Sequence, residues 1–375
     1  MPKKAITKKT IPKQTIQKLI RQSRQIFKDC FLENGAIVAA NTDKLYYPRQ
    51  GADYRWVWPR DAAFVVLAAR ILGLKFEGAF FDWLWERPQD FARTGLLFAN
   101  YSTNGRFGSM GRMFEPDQNG TILWLVGETY KDRPLPKKTE ALVRRLANGL
   151  VNIWNGAHFS CHTVDIWEEE HRHTTITMAN NHTYSLAACA KGLLRAAEML
   201  GEGIWKENAL QMISQIDKAY SEKDGYFYRN IGKTKDPNVD ASMIGLAWPF
   251  EIFDYKDSKI KNTIKAIEEN IVVDGGVHRY QFDYFDGEGS ASEGGGAWPL
   301  LNFWLSIYFA KAGNIKKAKE YFVWPLDKLA PYQGYLPEQI FPDNRIGVYP
   351  LSWSYAMFVI AAYHLGYISS NLSSS

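Results

Sequence analysis

The sequence predicts an all-α protein, an (α/α)6 barrel of six inner and six outer helices. Hydrophobic periodicity gives about twelve helical segments and little strand-like alternation, and these segments alternate between two kinds. One kind is amphipathic and the other is apolar almost all round, as expected for the outside and the inside of one domain. The chain has 375 residues, 46% of them hydrophobic, and no linker-like stretch divides it. We therefore expect one large domain.

The amphipathic segments carry one apolar stripe opposite a charged face, as in residues 16–26, 142–153 and 260–271. Other segments have too little polar surface to face water, as in residues 62–72, 297–310 and 353–365. Short connections between alternating segments favour an inner ring of helices wrapped by an outer ring. The inner helices then all run in one direction, so the loops that enter their N-termini gather at one end. A catalytic funnel is expected at that end.

The predicted domain spans residues 13–369, between a basic N-terminal tail (1–12) and a short C-terminal tail (370–375). The lysines of the N-terminal tail have no aromatic residues between them, so we expect a solvated tail and no nucleic-acid partner. No secretory segment and no long apolar run are apparent, which predicts a cytoplasmic protein without membrane association. Cys30, Cys161 and Cys189 form no paired pattern and are expected to be free thiols.

Two loops stand out, because each places a glutamate beside aromatic residues just ahead of an apolar helix. They are DIWEEEHRHTT (165–175), with Glu168, and YLPEQIFPD (335–343), with Glu338. Glu168 could belong to a solvated acidic helix entrance, but neighbouring Asp165 and Trp167 would raise its pKa, as a general acid requires. Glu338 could be a turn residue, and only the predicted topology brings it opposite Glu168. Two carboxyls facing one cavity can split a glycosidic bond.

Aromatic residues in the same set of loops are expected to line the funnel: Tyr54, Trp56, Trp58, Trp167, Trp298, Trp353 and Tyr355. They could instead belong to the core, but together at one barrel end they would suit the apolar faces of sugar rings. Arg60 and Asp61 open the second helix, as a simple ion pair or as a donor and an acceptor for sugar hydroxyls. Arg279 could act similarly from a third loop.

A histidine cluster raises a competing hypothesis, a metal-dependent hydrolase. Its members are His158, His162, His171, His173 and His182. Their spacing matches no zinc pattern, and no ligand set demands calcium, so we expect no cofactor and no metal.

The chain resembles glycoside hydrolase family 15, the glucoamylase family, along nearly its whole length. Four motifs in family order carry the resemblance: DYRWVWPRDAAF, DIWEEEHRHTT, GGVHRY with the later GGGAWPLLNFWL, and LPEQ followed by PLSWSYA. The resemblance implies an inverting, exo-acting α-glucoside hydrolase with a small carbohydrate substrate. It implies that Glu168 is the general acid and Glu338 the general base.

The same resemblance implies roles for the surrounding residues. Arg60 and Asp61 would grip the terminal glucose beside Tyr54 and Trp58. Trp167, Glu169 and Arg279 would line the next sugar site, and Trp353 would support the loop of the base. Many prokaryotic relatives carry a β-sandwich domain ahead of the barrel, whereas the first predicted helix here begins almost at the first residue, so short α-glucosides are expected. Maltose-type, isomaltose-type and trehalose-type linkages all stay open, as does the alternative of a non-catalytic glucan sensor.

Overall fold

The computed structural model describes residues 12–168, 180–232, 235–283, 295–342 and 345–369. Its α-helices are α1 (Lys13–Cys30), α2 (Pro59–Ile71), α3 (Glu77–Glu86), α4 (Phe91–Thr94), α5 (Pro116–Tyr130), α6 (Lys137–Ile153), α7 (Thr183–Leu200), α8 (Gly203–Asp217), α9 (Ser258–Asn270), α10 (Pro299–Lys311), α11 (Ile315–Leu326) and α12 (Ser352–His364). Two 3-10 segments cover Ala241–Leu246 and Ala330–Tyr332. Across the described ranges the structure is mostly helical, and the all-α prediction is confirmed.

The strands are short and form three antiparallel pairs within the described residues. They are β1 (Asn181–His182) with β4 (Asn230–Ile231), β2 (Tyr220–Ser221) with β3 (Tyr226–Phe227), and β5 (Val272–Val273) with β6 (Gly276–Val277). Each pair joins the ends of neighbouring helices, and no pair forms a layer of its own.

The inner elements form a closed ring, which confirms the (α/α)6 barrel. In order around the ring, α2 contacts α5, α5 contacts α7, α7 contacts the 3-10 segment Ala241–Leu246, that segment contacts α10, and α10 contacts α12. Helix α12 then contacts α2 and closes the ring. Helices α1, α3, α6, α8, α9 and α11 pack around it. No helix of the described chain is long and apolar enough to cross a membrane.

Three inner helices begin with a proline at their first position, where its missing N–H costs no hydrogen bond. These prolines are Pro59 in α2, Pro116 in α5 and Pro299 in α10. The residues just ahead of them, Trp58, Glu115 and Trp298, are the N-caps and have extended backbones. The sequence thus fixes sharp helix starts at the end of the barrel where the predicted site lies.

The fourth inner element differs from the prediction of six full inner helices. Only the 3-10 segment Ala241–Leu246 occupies this place in the ring. Its apolar run continues to Phe250, and all of these residues are buried, but Pro249 cannot supply a helical N–H. The burial pattern was therefore predicted correctly, whereas the expectation of a complete helix here is wrong.

Candidate active site

A cavity of about 390 Å³ lies at the N-terminal ends of the inner helices. Ten of the eleven predicted site residues line it: Tyr54, Trp58, Arg60, Asp61, Trp167, Glu168, Arg279, Trp298, Glu338 and Trp353. The eleventh, Glu169, lies outside the described residues. Loops that are far apart in the sequence therefore meet at one cavity, as the topology predicted.

Two residues of the predicted aromatic lining do not contribute to the cavity. Tyr355 is fully buried in α12, and its hydroxyl accepts a hydrogen bond of 3.2 Å from the backbone N–H of Leu336. Trp56 packs instead against the loop around Gly108, where an added Cβ would lie 3.1 Å from the Trp56 ring. A regular extended strand would place Trp56 on the same face as Tyr54 and Trp58, but the backbone bends at residue 56, so this alternation does not hold here. The prediction for Trp56 and Tyr355 is wrong.

The loop of Glu168 is a tight turn organised by Asp165. The backbone N–H of Glu168 donates to the Asp165 carbonyl at 3.0 Å, and the N–H of Trp167 donates to the Asp165 carboxylate at 3.0 Å. Glu168 adopts a φ of 61°, in the left-handed region that few non-glycine residues occupy. The surrounding hydrogen bonds hold this conformation and direct the side chain into the cavity.

The Glu168 carboxyl is largely buried, with a side-chain exposure of 18%. The indole N–H of Trp58 donates to its Oε1 at 2.6 Å, and Nη2 of Arg60 lies 3.6 Å from the same oxygen. Burial raises the pKa of Glu168 to about 7, although the charge of Arg60 and the Trp58 hydrogen bond act in the opposite direction. A carboxyl that keeps its proton near neutral pH is suited to general acid catalysis.

Arg60 is buried beneath Glu168 and contacts several carboxyl groups at once. Its Nε lies 3.2 Å from Asp61 Oδ1, and its Nη1 lies 2.9 Å from Glu115 Oε2 and 3.2 Å from Asp117 Oδ2. Its guanidinium is 5.1 Å from the centroid of the Trp353 ring. Burial raises the pKa of Asp61 to about 6, against the opposing effect of the Arg60 charge. These contacts hold Arg60 and Asp61 in one fixed geometry at the cavity floor.

Two further carboxylates, Glu115 and Asp117, support this floor and were not predicted as site residues from the sequence. Both are completely buried. The side-chain amide of Gln118 donates to Glu115 Oε2 at 2.6 Å, and the Ser185 hydroxyl donates to Asp117 at 3.0 Å. A sequence signal did exist, because Glu115 and Asp117 occupy the start of an apolar inner helix, where carboxylates are otherwise rare.

Glu338 lies in a loop that is tied to helix α12 and to the segment just ahead of that helix. Its backbone N–H donates to the Val348 carbonyl at 2.9 Å, and the Ser354 hydroxyl in α12 donates to the Pro337 carbonyl at 2.8 Å. The Glu338 charge, burial and the hydrogen bond that the Tyr54 hydroxyl donates to this carboxylate raise the pKa of Tyr54 well above its ordinary value. Tyr54 therefore remains a hydrogen-bond donor to Glu338.

A second group of lining residues stacks around Arg279. Its guanidinium is 5.7 Å from the Trp167 ring centroid and 5.1 Å from that of Trp298. Asp283 fixes the same guanidinium through two hydrogen bonds of 2.7 and 2.8 Å. Trp167 and Trp298 have ring centroids 6.0 Å apart. Together they form a wall of two tilted indole rings around one guanidinium, which we call the Trp167–Arg279–Trp298 wall.

The structure offers no support for the metal hypothesis within the residues that it describes. In those ranges there is no group of three or more histidine, cysteine, aspartate or glutamate side chains that could hold a metal ion. His182 is buried, which lowers its pKa, and its Nε2 lies 3.3 Å from the Thr163 carbonyl. His171 and His173 lie outside the described residues.

The chain is similar in sequence to several proteins whose names describe sugar-hydrolysing enzymes. The chain is 28% identical over 355 residues to an uncharacterized glycosyl hydrolase of Methanocaldococcus jannaschii, covering 88% of this chain and 53% of that protein. It is 27% identical to the isomaltose glucohydrolase of Kribbella flavida, covering 94% of this chain and 93% of that protein. A trehalase of Thermoplasma volcanium is 24% identical, with 88% of this chain and 54% of the trehalase covered. The chain thus spans about half the length of two of these relatives and nearly all of the other.

A solved structure of a wild-type glycosidase superposes with a TM-score of 0.76 at 25% identity, covering 95% of this chain and 98% of that one. The family model described as glycosyl hydrolases family 15 matches residues 137–319. That match contains the loop of Glu168 and the whole Trp167–Arg279–Trp298 wall. The residues that it does not include, Arg60 and Glu338 among them, line the same cavity. The chain is thus similar to glycosyl hydrolases family 15, most directly over residues 137–319.

Proposed function

We propose that the protein hydrolyses short α-glucosides with inversion, releasing β-D-glucose from the non-reducing end. The observation that carries this proposal is the pair of carboxyls in one cavity with different surroundings. Glu168 is held where its pKa rises to about 7, and Glu338 accepts a hydrogen bond from Tyr54. One carboxyl is thus suited to donate a proton and the other to accept one.

In the proposed reaction, Glu168 protonates the glycosidic oxygen as the bond from that oxygen to C1 breaks. A water molecule attacks C1 from the opposite face and passes a proton to Glu338. Inverting glycosidases hold the two carboxyls about 6.5–9.5 Å apart to admit this water. The Tyr54 hydroxyl orients the Glu338 carboxylate. Trp58 and Arg60 stabilise the negative charge that develops on Glu168.

Arg60 and Asp61 would bind hydroxyls of the terminal glucose, with Tyr54, Trp58 and Trp353 beside the ring. The fixed contacts of Arg60 with buried carboxyls mean that little side-chain entropy is lost when the sugar binds. The Trp167–Arg279–Trp298 wall would contact the leaving sugar. Its two indole rings suit the apolar face of a pyranose, and Arg279 suits its hydroxyls.

For the linkage, we favour the α-1,6 bond of isomaltose-type sugars. The isomaltose glucohydrolase matches this chain over nearly the full length of both proteins, whereas the trehalase match covers about half of the trehalase. A trehalose-type substrate is the second candidate. A sensor without activity is disfavoured, because both glutamates and the Arg60–Asp61 pair are present and line one cavity.

The test follows the anomeric proton signals by NMR during incubation with isomaltose, isomaltotriose, maltose, maltotetraose and trehalose. Early β-glucose from one linkage, absent with Glu168→Gln and with Glu338→Gln, is the expected result. Early α-glucose would exclude inversion. Binding without release from any of these sugars would favour the sensor, and loss of activity with a chelator would favour a metal-dependent hydrolase.

A further inference from the structure

A buried ionic network lies directly behind Trp167, outside the cavity. Arg229 is at its centre and is only 3% exposed. Its guanidinium pairs with the Asp165 carboxylate, and its Nε lies 3.5 Å from Asp240 Oδ2. Since Asp165 organises the turn that presents Glu168, Arg229 connects that turn with Asp240. The network thus joins a loop of the site to the fourth inner element of the barrel.

Asp240 holds the ring of Trp167 from behind. The Trp167 indole N–H lies 3.0 and 3.2 Å from the two Asp240 oxygens. Asp240 is itself fixed as the N-cap of the 3-10 segment Ala241–Leu246, since its Oδ1 accepts from the Ser242 N–H at 2.8 Å and from the Ser242 hydroxyl at 2.5 Å. Asp240 is 1% exposed and is not among the cavity-lining residues, so it can reach a substrate only through Trp167.

The Trp167 ring needs this support because its other face meets the open cavity. Trp298 lies beside it at an interplanar angle of 59°, and Arg279 approaches its ring face. Neither of these neighbours accepts the indole N–H. Without Asp240 the N–H would be buried without its acceptor, and the ring would turn toward another acceptor or water. The wall would then lose the orientation that it presents to a sugar.

We propose that Asp240 is a positioning residue that selects for a sugar leaving group by fixing the Trp167 ring. This inference rests on the proposed function and assigns a determinant of its substrate preference. Asp240 would govern how well a disaccharide is used, because the leaving glucose lies against the Trp167–Arg279–Trp298 wall. The reaction at the cleaved glucose depends on Arg60, Asp61, Glu168 and Glu338, none of which contacts Asp240 in the described structure. Although Arg229 links Asp240 to Asp165, the turn that presents Glu168 is held by its own hydrogen bonds to Asp165, which Asp240→Asn leaves in place.

The experiment compares isomaltose with α-D-glucosyl fluoride, a substrate whose leaving group is not a sugar. Asp240→Asn keeps the shape and one acceptor oxygen but turns an amide group toward Arg229 or toward the Trp167 N–H. We expect kcat/KM for isomaltose to fall between about 10-fold and 100-fold, since small misplacements of a substrate have effects of this size. We expect kcat/KM for the fluoride to stay within about twofold, the usual limit for independent sites.

A double-mutant cycle tests whether Asp240 acts through Trp167. Trp167→Phe removes the indole N–H, so adding Asp240→Asn to it should change kcat/KM for isomaltose by less than about twofold. Independent, multiplying effects would overturn the proposal. Equal losses on both substrates would also overturn it, because a general loss of folding or of the reaction centre lowers both activities. Near-UV circular dichroism and the Tm of each variant identify a folding defect.

The activity of the wild-type protein on the two substrates distinguishes failure of this proposal from failure of the proposed function. If the wild type hydrolyses neither isomaltose nor the fluoride, the proposed function fails. If the wild type hydrolyses both and Asp240→Asn does not change the ratio of kcat/KM for isomaltose to kcat/KM for the fluoride, only the proposed role of Asp240 fails. Ser242→Ala serves as a conservative variant, since it keeps the Asp240 charge and removes only the hydroxyl that donates to Asp240 Oδ1. A smaller change of the ratio in the same direction is expected.

Discussion

At the scale of single residues, the surroundings of Glu168 predict how activity depends on pH. Burial raises the pKa of this carboxyl to about 7. The protonated form is the acid, so kcat/KM should be highest below this value and fall as the pH rises through it. The measurement is a pH profile of kcat/KM, which reports groups of the free enzyme. Activity that rises through pH of about 7 would contradict Glu168 as the acid.

The Trp58 hydrogen bond gives a more specific prediction. The indole N–H donates to Glu168 Oε1 and lowers the pKa of this carboxyl. Trp58→Phe removes the donor, so the pKa of Glu168 should rise and the alkaline limb of the profile should move to higher pH. Trp56→Phe is the matched control, since Trp56 does not line the cavity. The alkaline limb of the pH profile of this variant should not shift. Movement of the limb to lower pH in Trp58→Phe would contradict the role of this hydrogen bond.

Glu115 should make stability depend on pH. Burial, together with the Glu168 charge, raises the pKa of Glu115 well above its ordinary value, and Arg60 opposes this. An unfolded glutamate ionises at a pH of about 4.3, so above that value unfolding releases a proton and is favoured by rising pH. Glu115→Gln removes this penalty. As the pH rises, the free energy of unfolding of Glu115→Gln should therefore increase relative to that of the wild type, by up to about 1.4 kcal/mol per pH unit.

The measurement for Glu115 is urea unfolding of both proteins at several pH values from about 5 to 8. Glu222→Gln, at an exposed position, is the control and should show no such trend. A difference between Glu115→Gln and the wild type that does not vary with pH would mean that Glu115 is ionised in the folded protein.

At the scale of secondary structure elements, helices α5 and α7 approach each other closely at Gly120. A Cβ added to Gly120 would lie 2.4 Å from backbone atoms of Ala188 and Cys189. Backbone atoms cannot move aside as a flexible side chain can, so Gly120→Ala should separate the helices and reduce the free energy of unfolding by about 3 kcal/mol. Because α5 also carries Asp117 beneath Arg60, activity should fall as well.

The control for this prediction is Gly78→Ala in α3, where an added Cβ meets no atom within 4 Å. A helical glycine with free space around it gains helix propensity on substitution, so stability should rise by up to about 1 kcal/mol. Urea unfolding measures both variants. Equal effects of the two substitutions would show that the α5–α7 approach can relax.

The inner and outer helices could be predicted because burial imposes a local pattern that recurs along the chain. The same pattern does not distinguish a helix from the 3-10 segment Ala241–Leu246, since both can be apolar all round. Glu168 and Glu338 were found from loops ahead of inner helices. Glu115 and Asp240, which support Arg60 and Trp167, could not be predicted in the same way, because these partners are 55 and 73 residues away in the sequence.

At the scale of the whole molecule, the two ends of the described chain close the barrel. Helix α12 packs between α10 and α2, and α1 contacts both α2 and α12. The backbone N–H of Ser352 donates to the Ala39 carbonyl at 2.8 Å. Ala39 lines the cavity, and so do Leu351 and Trp353 on either side of Ser352. The cavity is therefore complete only when the first and last inner helices are both in place.

Aromatic side chains fill the barrel axis beneath the cavity. Trp353 lines the cavity and stacks on Phe64 at 5.8 Å. The Phe64 ring lies 6.1 Å from Trp248, and Trp248 lies 6.5 Å from His364, the last residue of α12. Packed rings thus extend from the cavity floor toward the opposite end of the inner helices. A sugar chain that enters the cavity cannot continue through the barrel.

This closed floor predicts that an oligosaccharide is attacked at a chain end, and the proposed function places the non-reducing glucose there. Only a chain terminus fits in a pocket, and the terminal glucose must pass beyond the two carboxyls before the bond is cleaved. With isomaltotetraose labelled at its reducing end, the first labelled product should be one glucose shorter, followed by each shorter member in turn. The same sugar with a bulky group on its non-reducing glucose should stay intact. Chromatography of early time points measures both. Labelled glucose as the first product would mean attack from the reducing end, and it would contradict the proposed binding of the non-reducing glucose by Arg60 and Asp61.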